Sequence, residues 1–466
     1  MLERKGKNGA FLFSPTNIND FTEEAEYQMV FIKNKNLKLI ILFSILFIGG
    51  ALMTSCDKSY SYNHNDPNEA NYRTVLADLS KIKNGEKSFA LREEIADFSK
   101  YISFDQTTEK IDGWGYDMRS CDVSGLDLSY IEDYNDVTFN SQTKFPDDSK
   151  KLPKDFDPEY ILEFNKNPGL GIRELHNQGI TGKGVGIAII DQPLLLEHEQ
   201  YSDNLMSYER IHCSGDAAAM HGPAVASIAV GKDIGVAPAA KLYYIANTFG
   251  HWNQENNSFD LDFTILADCI LRVLEINKNL PEDEKIRVIS ISRGYNSRDN
   301  GYKELQEAID KANGENIFVI TTSTEEYYKK FKLFGADRDY YANPDDFTSY
   351  EPANWVRESV LSGNNIWVKD SILFPMGSRT YAGCTGTENY DIVHDGGLSW
   401  SVPWCAGFYA LCCQVKPDIT PEEFIEIITA TSVPAEIVRN LTGEIYNFGS
   451  IVNPDGVIKE LQVRIK

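Results

Sequence analysis

Positive charge is scarce in this chain of 466 residues: 45 Lys and Arg stand against 69 Asp and Glu, a formal net charge of -24. Nucleic-acid binding needs a basic footprint, and electrostatic adhesion to anionic lipid needs a basic face. Both are therefore excluded as organising functions, while solubility and cationic substrates are favoured. Paired cysteine spacings are missing as well. Apart from Cys56 the cysteines are Cys121, Cys213, Cys269, Cys384, Cys405, Cys412 and Cys413, an odd set that spells neither a metal site nor a disulfide framework. Cys405, Cys412 and Cys413 lie in an apolar stretch, where cysteine packs as a small hydrophobe. The apolar run at residues 39–53 falls short of the roughly 20 residues a spanning helix needs, so a permanent transmembrane anchor is not indicated. A 42% hydrophobic content rules out wholesale disorder, and the length accommodates one large core with a smaller domain.

What is present begins with an export signal. Lys33, Lys35 and Lys38 precede the run at 39–53, and Thr54-Ser55-Cys56 follows it, giving a basic region, an apolar region and a small-residue site. With Cys directly after the small residues, the segment resembles a bacterial lipoprotein signal, which implies a lipid anchor at Cys56. An ordinary secretory signal with Cys56 incidental is the alternative. Residues 1–28 precede Met29, the expected start. Residues 57–150 are expected as a separate N-terminal region, with helical periodicity at 72–104 and a five-residue rhythm of Asp followed by an apolar residue at 116–130 that suggests short extended rungs. A Lys-, Asp- and Pro-rich stretch at 141–158 reads as a linker and places the main boundary between residues 150 and 151.

Beyond it, runs of branched or aromatic residues predict strands at 185–190, 241–246, 286–292 and 316–323, separated by helical patterns at 222–230, 260–277 and 302–312. This alternation predicts an α/β domain over 151–466, a parallel sheet with helices on both faces. Thr420-Pro421-Glu422-Glu423 is a capping box with Pro at the first helical position, and predicts a helix over 422–429. The tail at 434–466 shows no chemistry.

Three segments of this domain carry chemistry. Val-Gly-Ile-Ala-Ile-Ile-Asp at 185–191 delivers Asp191 at the end of a buried strand, His221-Gly222-Pro223-Ala224-Val225-Ala226-Ser227 opens an apolar helix with His221, and Gly397-Leu398-Ser399-Trp400-Ser401-Val402-Pro403 turns into a second with Ser399. Acyl transfer at neutral pH needs a hydroxyl nucleophile, an imidazole to take its proton and a carboxylate to orient the imidazole. Singly, these residues are as readily a turn residue, a core histidine and a helix cap.

Together, and in the order Asp, His, Ser, they resemble the subtilisin-like serine proteases. His221-Gly222 and Val225-Ala226 match the family's His-Gly-Thr-x-Val-Ala, Gly235-Val236-Ala237-Pro238 repeats its Gly-Val-Ala-Pro, and His198 is a further match. Gly397, Ser399 and Pro403 fit its Gly-Thr-Ser-x-Ala-x-Pro, while Asp191-Gln192-Pro193 departs from Asp-Ser-Gly. The likeness spans about residues 165–435, interrupted from 324 to 372. It implies Asp191, His221 and Ser399 as catalytic triad and Ser292, Arg293 and Gly294 as substrate-binding strand. Thr324 stands where the family has its oxyanion Asn, as a candidate weaker hydroxyl donor or, alternatively, a plain turn residue. No cofactor or metal is implied as required. Structural calcium, frequent in the family, is unsupported because Gln200 replaces an acidic residue two positions after His198.

The expected activity is extracellular peptide-bond hydrolysis on polypeptide substrates. The alternatives are a subtilisin-fold binding or scaffolding lipoprotein without turnover, and a peptidase for which 57–150 is a removable inhibitory prosegment.

Overall fold

Gly186–Asp191 shows why the sheet forms: all six residues are buried, the signature of a strand covered on both faces. Its side chains alternate between two cores. Ile187 and Ile189 join a cluster with Ala224, Val225 and Ile228 of the helix His221–Val230, while Ala188 and Ile190 join another with Leu266 and Ile270 of Phe263–Lys278 and Leu305 and Ile309 of Tyr302–Gly314. In this computed structural model residues 72–465 are described, apart from 98–101, 112–114, 216, 254, 365–367 and 439–441. The signal-like run, Met29 and Cys56 lie outside the described residues.

The central sheet runs Arg73–Val75, Leu205–Cys213, Lys241–Ala246, Gly186–Asp191, Ile286–Ile291, Phe318–Thr321, with Ser88–Phe89 also paired to Leu205–Cys213. Every pairing is parallel except that of Arg73–Val75, which is antiparallel to its neighbour. The α/β expectation holds, and the four predicted strands begin at or within two residues of their expected starts. The capping-box helix is Pro421–Thr431, with the Thr420 hydroxyl accepting the Glu423 N–H. Helix Leu398–Val415 is buried along nearly its whole length, Cys405, Cys412 and Cys413 included. Gly407 lets it close on its neighbours, since a Cβ there would lie 2.7 Å from Val236 Cβ and 3.0 Å from the Ala229 carbonyl oxygen.

The boundary expected at 150–151 is not a structural one, because the described residues on both sides of it belong to one compact unit. Val137–Asn140 pairs with Tyr390–Val393, and that sheet is completed by Tyr116–Asp117 beside Val137–Asn140 at one edge and by Arg379–Ala382 beside Tyr390–Val393 at the other. Met118, Val123, Leu128, Ile131, Val137 and Phe139 share a core with Tyr340 and Ile392. Two further expectations give way. The described residues of 72–104 form two short strands, the short helix Leu79–Lys83 and the start of the short helix Phe104–Thr108 rather than long helices. The 116–130 rhythm marks turns rather than rungs: Asp122 and Asp127 each accept the backbone N–H and hydroxyl of the serine two residues on. Among the described residues no helix is long and apolar enough to cross a membrane.

Candidate active site

Asp191 ends its strand at the carboxyl edge of the sheet, where ligands of such folds gather. Its carbonyl accepts the Asn247 N–H, and its carboxylate Oδ1 accepts the Gln192 N–H at 2.7 Å and His221 Nδ1–H at 2.6 Å. A carboxylate can only accept, so the bond places the imidazole proton on Nδ1 and leaves Nε2 as the basic nitrogen. Both side chains are buried.

Gly222 permits this contact. A Cβ at that position would lie 2.6 and 2.7 Å from the carbonyl oxygens of Gln192 and Pro193, so only glycine lets the His221 helix reach the turn after Asp191. Tyr244 pins the same turn by donating its hydroxyl to the Gln192 carbonyl at 2.5 Å. Trp400 packs against the imidazole from the serine helix, ring centroids 5.1 Å apart, and is itself backed by Tyr381 at 5.1 Å.

Ser399 is the second residue of its helix, after the N-cap Gly397, so its N–H is one of the orphan donors at the positive end of the helix dipole. Pro403, four residues on, has no N–H to give the Ser399 carbonyl. Ser292 supplies the replacement, donating its hydroxyl to that carbonyl at 2.8 Å, while Ser399 Oγ donates to the Ser292 carbonyl at 3.4 Å. The pair of bonds joins the nucleophile's helix to the end of Ile286–Ile291. Arg293 and Gly294 follow. A Cβ on Gly294 would press on the Ser323 and Thr322 hydroxyls at 2.9 Å, and the Arg293 guanidinium lies 5.9 Å from the Phe249 ring centre.

Thr324 is placed differently from expectation. Its hydroxyl donates to the Phe331 carbonyl and accepts the Leu333 N–H, both at 3.1 Å and both buried. The one O–H proton is committed to closing the 324–333 loop, so the side chain is not offered to an oxyanion.

His198 is fully buried; Nδ1 accepts the Gln200 N–H, so Nε2 carries the proton toward the Asn389 carbonyl at 2.9 Å, and burial lowers its pKa and keeps it neutral. Gln200 bonds to Asp233 and Tyr390, filling by amide hydrogen bonds the place where the resembled family has a carboxylate. Among the described residues no group of three or more His, Cys, Asp or Glu side chains is placed to hold a metal ion.

Sequence reasoning passed over Tyr244, Trp400 and Asp337. Asp337 directly follows the strand Leu333–Ala336, much as Asp191 closes its own, a signal that fell inside the interrupted stretch. Its Oδ1 accepts the Gly377 N–H at 2.6 Å, and a Cβ on Gly396 would strike Gly377 N at 2.4 Å, so the buried carboxyl sits one layer beneath the Gly396–Gly397 turn into Ser399. Burial, with the nearby charge of Asp395, pushes its pKa up to about 8 against the opposing pull of His394.

Residues 182–449 match the family model described as Peptidase S8, the subtilase family. The chain is 24% identical over 315 residues to a "Probable subtilase-type serine protease" of Deinococcus radiodurans, covering 59% of this chain and 40% of that protein. It is 25% identical over 296 residues to the serine protease AprX of Bacillus subtilis, covering 54% and 62% respectively. The chain thus spans less than two thirds of either relative. Among solved structures it is similar to the prenylagaramide maturation protease PagA, with 16% identity, a TM-score of 0.42, and coverage of 62% of this chain and 98% of that one.

Proposed function

We propose, from the premise that this chain belongs to the subtilase family, that it is a serine endopeptidase in which Asp191, His221 and Ser399 hydrolyse peptide bonds of polypeptide substrates. The observation that carries the reading is the buried 2.6 Å bond between His221 Nδ1 and Asp191. It fixes the tautomer that general-base catalysis requires, within packing distance of the helix that carries Ser399.

In this mechanism Ser399 Oγ leaves the Ser292 carbonyl, gives its proton to His221 Nε2 and attacks the scissile carbonyl. His221, now charged and held by Asp191, returns the proton to the leaving amine, and water repeats the sequence on the acyl-enzyme. The Ser399 N–H and the helix dipole face the developing oxyanion. Acyl transfer by these groups uses no cofactor.

The expected outcome is cleavage of an unfolded protein substrate by the wild-type chain and none by Ser399→Ala or His221→Ala, a loss on the order of a million-fold by analogy with triad removal elsewhere. Equal cleavage by wild type and Ser399→Ala would reject the assignment. A second reading, a subtilase-fold binding or scaffolding protein without turnover, is favoured by one observation: the Thr324 hydroxyl is locked away from the site. The same assay decides, because that reading requires wild type and variants to be equally inert.

We also propose export and attachment to the bacterial envelope through a lipid on Cys56, on the strength of the basic, apolar and small-residue order at 33–56. Two acyl chains give stable attachment where one is marginal. Mass spectrometry of the mature N-terminus should find acylated Cys56; an unmodified N-terminus beyond it would mean plain secretion.

A further inference from the structure

Arg293 stands out in a chain of net charge -24. Among the described residues its guanidinium makes no hydrogen bond or ion pair, and its Nε is buried without a partner. Its main chain is fixed, with the N–H donating to Ile291 and the carbonyl accepting from Thr322, so the point from which the side chain leaves is set while its charge is left uncommitted. It follows Ser292, the residue bonded to Ser399 through both hydroxyl and carbonyl. The strand before it and Lys241–Ala246 flank the Asp191 strand on either side. A side chain leaving residue 293 and lying over Phe249, three residues past Ala246, therefore crosses the carboxyl end of the Asp191 strand. Phe249 is tied there in turn, its N–H donating to the Asn247 side chain and the Asn247 N–H to the Asp191 carbonyl.

A half-buried cation over an aromatic face keeps part of its charge unsolvated, and Arg presents a planar fork matched to a carboxylate. Resting on the protease reading above, we propose that Arg293 is a specificity-determining residue that selects peptides with an acidic side chain at one position close to the scissile bond. A charge-assisted hydrogen bond in such a site corresponds to a preference on the order of tenfold to a hundredfold.

The test uses the full chain and quenched peptides of one sequence in which Glu, Gln and Lys are scanned through each position beside the cleaved bond. The inference expects one position where Glu exceeds Gln and Lys in kcat/KM by about tenfold or more. Arg293→Lys should keep that preference in weakened form, Arg293→Gln should abolish it, and Arg293→Glu should turn it toward Lys, with the ranking elsewhere unchanged and melting curves confirming the fold. A wild type indifferent to Glu and Lys at every position, or a preference that survives Arg293→Gln, overturns the inference while leaving the protease reading intact. If no peptide is cleaved at all, the protease reading falls. The same peptides are then measured by fluorescence anisotropy, where tighter binding of Glu peptides that is lost in Arg293→Gln supports the selectivity and equal binding overturns it.

Discussion

Ser292→Ala removes one oxygen and isolates one physical claim: that the hydroxyl replaces the backbone donor which Pro403 cannot provide to the Ser399 carbonyl. A net hydrogen bond is worth about 0.5–1.5 kcal/mol, and a buried acceptor left unpaired costs about 1–3 kcal/mol. Ser292 is only half-buried, so the lower part of that range applies and a loss of about 1–2 kcal/mol is expected. The diagnostic comparison is with Pro403→Ala, which restores an N–H four residues beyond Ser399. In that background the carbonyl has a helical donor again, and Ser292→Ala should cost less than about 0.5 kcal/mol, so that the two substitutions couple. Stabilities are read from urea denaturation, all in a Ser399→Ala background that prevents self-digestion and keeps the carbonyl. Ser292→Thr, which keeps the hydroxyl, should retain most of the stability. If Ser292→Ala costs the same with and without Pro403→Ala, to within the ~0.3–0.5 kcal/mol expected of independent sites, the reasoning is refuted.

Thr324→Val should lower stability by about 1–3 kcal/mol, because it strands the Phe331 carbonyl and Leu333 N–H; turnover of the remaining folded enzyme should stay within a few-fold of wild type, and steady-state kinetics beside thermal melts separate the two. Asp337 keeps its proton in the folded state up to about pH 8 but loses it near its ordinary value when unfolded. The fold therefore binds the extra proton, and its contribution is lost as pH rises from below the carboxylate range through about 8. Melting temperature should fall over that window in wild type and fall less in Asp337→Asn, and parallel slopes would reject the assignment. A product beginning at residue 151 should fail to fold: six buried side chains from Met118 to Phe139 would be lost at about 1.5–3 kcal/mol each, against a total stability of roughly 5–15 kcal/mol. It would also lose the Arg119 guanidinium, 4.0 Å from buried Asp391. A soluble, cooperatively melting product would reinstate residues 57–150 as a removable segment.

Four adjacent strands of the central sheet, Lys241–Ala246 to Phe318–Thr321 in sheet order, were legible because they are short runs of branched or aromatic residues, whereas Leu205–Cys213, interrupted by Ser207, Glu209 and Arg210, was not. Asp191, His221 and Ser399 were legible because each sits at or next to the start or end of such a run or helix. The N-terminal residues were not legible: strands of two to four residues, such as Tyr116–Asp117 and Val137–Asn140, are too short to show a period. Nothing in the sequence of that stretch announces that Asp117 and Arg119 are buried against each other. Thr324 was misjudged because a sequence gives a hydroxyl's position along the chain but not its direction. The partnership of Ser292 with Ser399 was half-written in Pro403, whose place four residues after the serine announces an unpaired carbonyl without naming its donor.

The central claim, that Ser399 is a nucleophile activated by His221, is tested most directly by a fluorophosphonate probe on the purified chain, with the modified residue located by peptide mass spectrometry. The account predicts a single adduct on Ser399 in the wild type, and none in Ser399→Ala or His221→Ala at matched folding. Labelling that persists in Ser399→Ala, or a folded wild type that takes up no probe, would contradict it.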